Sequence, residues 1–413
     1  MIQAPYDLFQ RVAAPEQRCS GMSVDAPDTR QRLTQHDETP ASHSAAWYDG
    51  ALVPKRNAVA RLDRREFLLG TAATLAAGAS ASALPASKLA QRRAGFGAAA
   101  TLWDLQADPR LGEAISTYCT QVVPVLELKW PMLRPNAHTF AFERADAILD
   151  FAQANDLTMR GHALAWYHDI PDWTKQIKDA KGVERAFVDH IGTVVSYYKD
   201  KLTSWDVVNE PIPDNPRSPK DRRDTFWTQH LGSSWIPLAF RTAAAADPFV
   251  KLAINEYDIE SAKDSFIAKR AAYRHLIMEL LDQGVPLHAV GLQSHLHAEL
   301  EIDTHGLAEF VTELRSWGLD VLVTELDVDD QKLTGNPAER DAIVAKRVDD
   351  LLTAISASGP ARSILTWGLS DRYSWINGTF ARADKQPNRP LPLDGEFKPK
   401  PFMDVISKFT RDV

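Results

Sequence analysis

Two glutamates stand at the ends of short strand-forming runs: Glu210 in "WDVVNEP" and Glu325 in "VTELDV". If a fold brings them to within ~5 Å, both cannot ionise easily, so one holds a proton while the other stays anionic. That division supplies an acid and a nucleophile, the pair a retaining glycosidase uses. Asn209 directly precedes Glu210 and offers an amide to a sugar hydroxyl. Asn, Glu and Pro are also ordinary punctuation where a strand gives way to a loop, so the motif acquires meaning only from its surroundings. Aspartic-protease chemistry needs two acids sharing one proton in short contact, and no such pattern is present. Metal-assisted hydrolysis wants several His or Asp at ligand spacing, and "SHLH" offers only His295 and His297. No cofactor or metal is expected.

The elements that must position these residues follow a regular rhythm. Strand candidates are "FGAAA", "QVVPVLELKW", "LTMRGHALAW", "LTSWDVVNEP", "KLAINEYD", "HAVGLQSHL", "DVLVTELDV" and "SILTWGLSD". Amphipathic helical patterns such as "FERADAILDFAQAND", "RAFVDHIGTVVSYYKDKL", "FIAKRAAYRHLIMELLDQG" and "RDAIVAKRVDDLLTAISASG" lie among them. A βα unit repeated about eight times in about 320 residues predicts an α/β fold, a (β/α)8 TIM barrel forming a single catalytic domain. A doubly wound open sheet is the alternative, but no glycine-rich phosphate loop follows any strand. Barrel chemistry sits at the C-terminal strand ends, where this chain places Lys129 and Trp130 (strand two), His162 and Trp166 (three), and Asn209 and Glu210 (four). Gln293 and His295 close strand six, Glu325 and Asp327 strand seven, and Trp367 strand eight. One such residue alone is usually structural; their convergence on one rim points to a shared pocket. Strands four and seven face each other across an eight-stranded barrel, so Glu210 and Glu325 can approach.

Composition sets the outer limits. The chain has 413 residues, 25% of them charged, and a net charge of -8, which with no basic stripe argues against nucleic acid as a partner. Cys19 and Cys119 are the only cysteines and form no metal or disulfide pattern. The eleven tryptophans suit either cores or flat platforms for sugar rings. Residues 1–62 are polar and aperiodic, and read as a disordered leader. Residues 63–90 carry Arg64 and Arg65 ahead of "EFLL", a weakly apolar Ala/Gly/Thr stretch and small-residue "ASA" sites. This segment resembles a twin-arginine export signal, which implies the twin-arginine machinery as a partner, a periplasmic or extracellular location and no stable membrane anchor. A leader ahead of such a signal fits an upstream mis-assigned start, with Val53 or Val59 as alternative initiation points. Residues 91–413 make up the catalytic domain, with the mature chain expected to begin between Leu84 and Gln91 and to be a monomer.

With "RGHALAW", "WDVVNEP", "GLQSHLH", "VTELDV", "WGLSDRYSW", "NRPLPLD" and "KPKP" in this order from Gly95 to the C-terminus, the chain resembles glycoside hydrolase family 10, the retaining β-1,4-xylanases. The resemblance implies Glu210 as acid/base, Glu325 as nucleophile and Asn209 as the holder of the 2-hydroxyl of the sugar under attack. It implies that His295 hydrogen-bonds the nucleophile, oriented by Asp327, and that Gln293 contacts the acid/base. Lys129, His162, Trp367 and Trp375 would line the glycone side, with Trp166 in the floor beneath the reactive sugar. The substrate class implied is xylan or xylo-oligosaccharide; a barrel glycosidase for short oligomers or β-glucan, and a non-catalytic polysaccharide binder, are the competing readings.

The chain also departs from the family. Where the family grips its second glycone sugar with a Glu-Asn pair, this sequence has Val125 and Leu126 in "VLELKW". If the strand continues to Trp130, Glu127 shares a face with Val125 and offers partial compensation. Tyr167 replaces the histidine that usually follows the third-strand tryptophan, and "NDYN" appears as "NEYD", Asn255 to Asp258.

Overall fold

The computed structural model describes residues 95–411, so the leader and the twin-arginine-like segment lie outside the described residues. Ten parallel strand segments make up the sheet: β1 (Gly95–Ala100), β2 (Gln121–Pro124), β3 (Thr158–Met159), β4 (Gly161–Ala165), β5 (Ser204–Asn209), β6 (Lys251–Glu256), β7 (Ala289–Leu292), β8 (His295–His297), β9 (Asp320–Asp329) and β10 (Ser363–Thr366). They run in the order β3-β2-β1-β10-β9-β7-β6-β5-β4, with β8 pairing β9. Only Arg160 separates β3 at one end of this path from β4 at the other, so the sheet closes on itself. The eight expected staves are therefore present, two of them interrupted: the third at Arg160 and the sixth at Gln293–Ser294. The fold is a (β/α)8 barrel.

Strands such as "SWDVVN" and "AVGL" are buried along their whole length, as parallel strands sandwiched between side-chain layers and helices must be. Helices return the chain outside. Those at Ala180–Tyr197, Asp264–Asp282, Thr304–Ser316 and Pro337–Ser356 turn Phe187, Tyr273, Phe310 and Val348 inward. Their starts are written in the sequence: Asp179 accepts from the Gly182 N–H, Asp303 from Gly306, and Asn336 with Glu339 forms a capping box ahead of Pro337. Gly161 is required by a close approach, because a Cβ there would lie 2.2 Å from the Trp205 ring on the neighbouring β5. Among the described residues no helix is long and apolar enough to cross a membrane.

One expected strand ends early. β2 stops at Pro124, and Lys129 and Trp130 do not close a strand: Lys129 caps a short helix, Trp130–Leu133. Trp130 packs among His190, Trp227 and Trp173, with ring centroids 4.0, 5.0 and 6.4 Å away. Strand alternation consequently says nothing about Glu127. Its buried carboxylate accepts from the Leu102 N–H at 2.8 Å and stands 3.6 Å from Arg144, so it ties the end of β1 to the segment after β2. Its second oxygen, Oε2, accepts from the Leu126 N–H at 3.3 Å, so both oxygens hold the local backbone.

Candidate active site

Asn209 is the last residue of β5, and Glu210 directly after it adopts φ 57. A left-handed backbone is uncommon for a residue with a side chain, and two bonds impose it here. The Glu210 N–H donates to the Asn255 carbonyl at 2.9 Å, and the Glu210 carbonyl accepts from Arg223 Nε at 2.9 Å. Strict alternation would send Asn209 and Glu210 to opposite faces. The turn instead brings them together: Asn209 Nδ2 donates to Glu210 Oε1 at 3.0 Å, and Gln293 Nε2 reaches Glu210 Oε1 at 3.0 Å and Asn209 Oδ1 at 3.2 Å. The other oxygen, Oε2, accepts from Trp166 Nε1 at 2.8 Å.

Glu325 projects from β9. Its Oε1 accepts from Asn255 Nδ2 at 2.6 Å, and the same Nδ2 donates to Asn209 Oδ1 at 2.9 Å. The Asn209↔Asn255 register of β5 and β6 sets these amides side by side, and Thr324 Oγ1 fixes Asn255 by donating to its Oδ1 at 2.7 Å. A continuous chain of amides thus joins one carboxylate to the other. His295 stands on the far side, with Nε2 3.3 Å from Glu325 Oε2 and Nδ1 2.8 Å from Asp327 Oδ1. His162 Nδ1 lies 3.8 Å from Glu325 Oε1 and 3.0 Å from Asp206 Oδ2. Arg160 in turn holds Asp206 through both terminal nitrogens, Nη1 at 2.9 Å.

The electrostatics follow from these contacts. Burial alone would raise the Glu325 carboxyl, but the charge of His162 and the bond and charge of His295 more than offset it, leaving it below its ordinary value. Burial disfavours an imidazolium at His295, yet Asp327 and Glu325 outweigh that and push it well above the usual histidine range. Burial raises Asp327, and His295 offsets only part of this. At Asp206 burial is overcome by Arg160 and His162, and the net direction is down.

Tryptophans border this centre. The Trp367 ring lies 5.2 Å from His162 and 6.3 Å from His295, and Trp375 lies 5.4 Å from His295 while its Nε1 donates to Asp327 Oδ2 at 2.7 Å. Lys129 sets its ammonium 4.4 Å from the Trp166 ring and 3.5 Å from Asp169. The half-buried rings of Trp166, Trp367 and Trp375 keep partly exposed surfaces suited to the apolar faces of pyranoses. Of the residues named from sequence, Glu210, Glu325, Asn209, Lys129, His162, Trp166, Gln293, His295, Asp327, Trp367 and Trp375 fall in or against this one network, whereas Trp130 is buried in a separate aromatic cluster with His190 and Trp227. Asn255, Thr324 and Asp206 were missed, although the first lies in "NEYD" at the end of a strand; their importance comes from neighbours distant in the chain. Among the described residues no cluster of three or more His, Cys, Asp or Glu is arranged to hold a metal ion.

A closed parallel barrel carrying two carboxylates joined through amides, between tryptophan faces, belongs to the class of two-carboxylate glycoside-cleaving barrels. Residues 86–409 match the model of Glycosyl hydrolase family 10, and the chain belongs to that family. Endo-1,4-beta-xylanase B of Paenibacillus barcinonensis is 33% identical over 309 residues, covering 70% of this chain and 88% of the relative. Endo-1,4-beta-xylanase A of Phanerodontia chrysosporium is 33% identical over 296 residues, 71% and 68% of the respective chains. The crystal structure of xylanase 10B from Thermotoga petrophila RKU-1 in complex with xylobiose superposes with a TM-score of 0.69 at 27% identity, covering 79% of this chain and 96% of that one.

Proposed function

We propose that this protein is an endo-1,4-β-xylanase that cleaves internal bonds of xylan with retention of configuration. The observation that carries the reading is the asymmetry of the two carboxylates within one hydrogen-bonded network. Glu325, held below its ordinary value beside His162 and His295, is suited to attack the anomeric carbon. Glu210, oriented by the N–H groups of Trp166, Asn209 and Gln293, is the group that passes a proton to the departing glycosidic oxygen. The C1–O bond breaks as a Glu325 ester forms; Glu210, now anionic, takes a proton from water as that water cleaves the ester. By the family resemblance, Asn209 grips the 2-hydroxyl as positive charge develops on the ring. The relatives named as xylanases support the substrate class.

Glu325→Gln should abolish turnover on every substrate, including aryl glycosides with activated leaving groups. Glu210→Ala should still form the ester on such substrates, stall, and be rescued by azide to give a β-configured glycosyl azide. Equal loss without rescue in both variants would remove the assignment of roles. The same reading includes export, supported by Arg64 and Arg65 ahead of the apolar stretch. Replacing both with Lys should retain the enzyme in the cytoplasm, because the pair is read by a receptor and not as charge; undiminished secretion of that variant would reject this route.

A further inference from the structure

Glu256 ends β6, one residue beyond Asn255, and is completely buried although none of the proposed catalytic steps uses it. Its Oε2 accepts from the Ile212 N–H at 2.9 Å, two residues past Glu210, and its Oε1 accepts from the Tyr257 N–H at 3.1 Å. Lys269, on the helix Asp264–Asp282 and also without exposure, brings its ammonium to 3.0 Å from Glu256 Oε1. That ammonium makes ionic rather than aligned hydrogen-bonded contacts, lying 3.2 Å from the Tyr257 ring centre and 3.5 Å from Asp214. Arg223 completes the group by donating to the Glu210 carbonyl, to Asp214 Oδ1 at 2.9 Å and to the Tyr257 hydroxyl at 3.0 Å. The segment from Glu210 to Asp214 is thus fixed from behind by one buried anion and two cations.

We propose that Glu256, paired with Lys269, is a positioning residue that holds the backbone beyond Glu210 and balances the buried positive charge that would otherwise strip Glu210 of its proton. This rests on the reading of Glu210 as acid/base. With Glu256 ionised and Glu210 protonated, the cations Lys269 and Arg223 face the anions Glu256 and Asp214; Asp258, toward Lys269, and His168, toward Glu210, are the further titratable groups of this neighbourhood, burial raising the first and lowering the second. Losing the Glu256 charge leaves one excess positive charge, which favours the Glu210 carboxylate over the acid. The other titratable groups facing Glu256 are Tyr257, Tyr167 and Tyr273, and burial pushes all three hydroxyls up, so they stay neutral. Burial likewise pushes the Glu256 carboxyl up to about 7 against the pull of Lys269 and Arg223. Its charge therefore develops on the alkaline side, where an acid catalyst most needs help to keep its proton.

The test compares Glu256→Gln and Glu256→Asp in the full-length enzyme, measuring kcat/KM against pH on two aryl β-xylobiosides, one with a poor and one with a good leaving group. For Glu256→Gln the alkaline limb with the poor leaving group should move down by about one pH unit, the size expected for one nearby uncompensated charge. The acid limb, and the rate with the good leaving group, should change little. Glu256→Asp keeps the charge and should restore the limb. A uniform fall in rate on both substrates, with limbs unmoved, would mean a purely structural role and overturn the proposal. Should Glu256→Gln fail to fold, Asp214→Asn removes a second, half-exposed anion from the same balance; its alkaline limb should move in the same direction, and an unmoved limb would likewise overturn the proposal. If Glu210→Ala shows no leaving-group contrast, the acid/base reading itself has failed. If that contrast holds while the limbs stay fixed, only the role of Glu256 has.

Discussion

His295 sits between Glu325 and Asp327, and the protonation of each depends on the other two. The depressed Glu325 carboxyl contributes stability that is complete above its ordinary value of 4.5 and is lost as pH falls through the lower folded value. The elevated His295 contributes stability that is complete below its ordinary value of 6.5 and is lost as pH rises through the higher folded value. Between pH 4.5 and 6.5 both contributions are whole. In Asp327→Asn the imidazolium loses the neighbouring anion that most favours it, so Glu325 loses part of the cation that keeps it ionised. The acid limb of kcat/KM should then move to higher pH, and the melting temperature should fall most within that window. An acid limb identical to that of the parent would show that His295 does not hold Glu325 ionised. Most of this constellation was legible, because Gln293, His295, Glu325 and Asp327 are polar residues toward the C-terminal side of strand-like runs, where barrel chemistry collects, although β9 itself continues past Glu325 and Asp327 to Asp329. Asp206 was not: it lies mid-strand, and only the approach of Arg160 and His162 from the neighbouring strand gives it a role.

The turn after β2 carries Val125 and Leu126 where the family resemblance implies a Glu-Asn pair for the second glycone sugar. Reading that turn as continued strand was the main error at this level, since "VLELKW" has strand-like composition while Pro124 and the tertiary contact of Glu127 with Leu102 end the ladder. Val125 and Leu126 are half-buried and bring no hydrogen-bonding side chain, and the nearby Lys129 is already matched by Asp169. Each hydrogen bond absent from a partly desolvated subsite forgoes roughly 0.5–1.5 kcal/mol, so two cost about five- to 150-fold in binding. Much of this should appear in kcat/KM, because binding remote from the scissile bond also orients the reacting sugar. Installing the pair by Val125→Glu and Leu126→Asn should raise activity on xylo-oligomers and leave single-xylose aryl glycosides nearly unchanged. Glu127→Ala provides the contrast: it strands a buried N–H and should lower stability by about 1–3 kcal/mol without altering glycone preference. A strong two-sugar preference in the parent enzyme, lost in Glu127→Ala, would reverse this account.

At the scale of the whole barrel, alternation of strand and helix announced the closed architecture, while the place of closure was hidden because two short segments separated by Arg160 look like one strand in sequence. β3 joins β2 through only two residue pairs, Gln121↔Thr158 and Val122↔Met159, so the closure is narrow. Arg160 at that point is anchored by Asp206, and breaking a buried pair by loss of one partner costs about 3–5 kcal/mol. Asp206 also steadies His162, which faces Glu325. Local opening is expected first where pairing is shortest, at free energies below that of global unfolding. Such an opening would release His162 and with it the ionisation of Glu325, while the helices outside remain wound. Heating should therefore extinguish xylan hydrolysis a few degrees before far-UV circular dichroism falls, and coincident midpoints would show that no such early step exists. Separated midpoints would make the narrow closure a thermal fuse, and work on heat tolerance would then be better directed at residues 158–165 than at the helical shell.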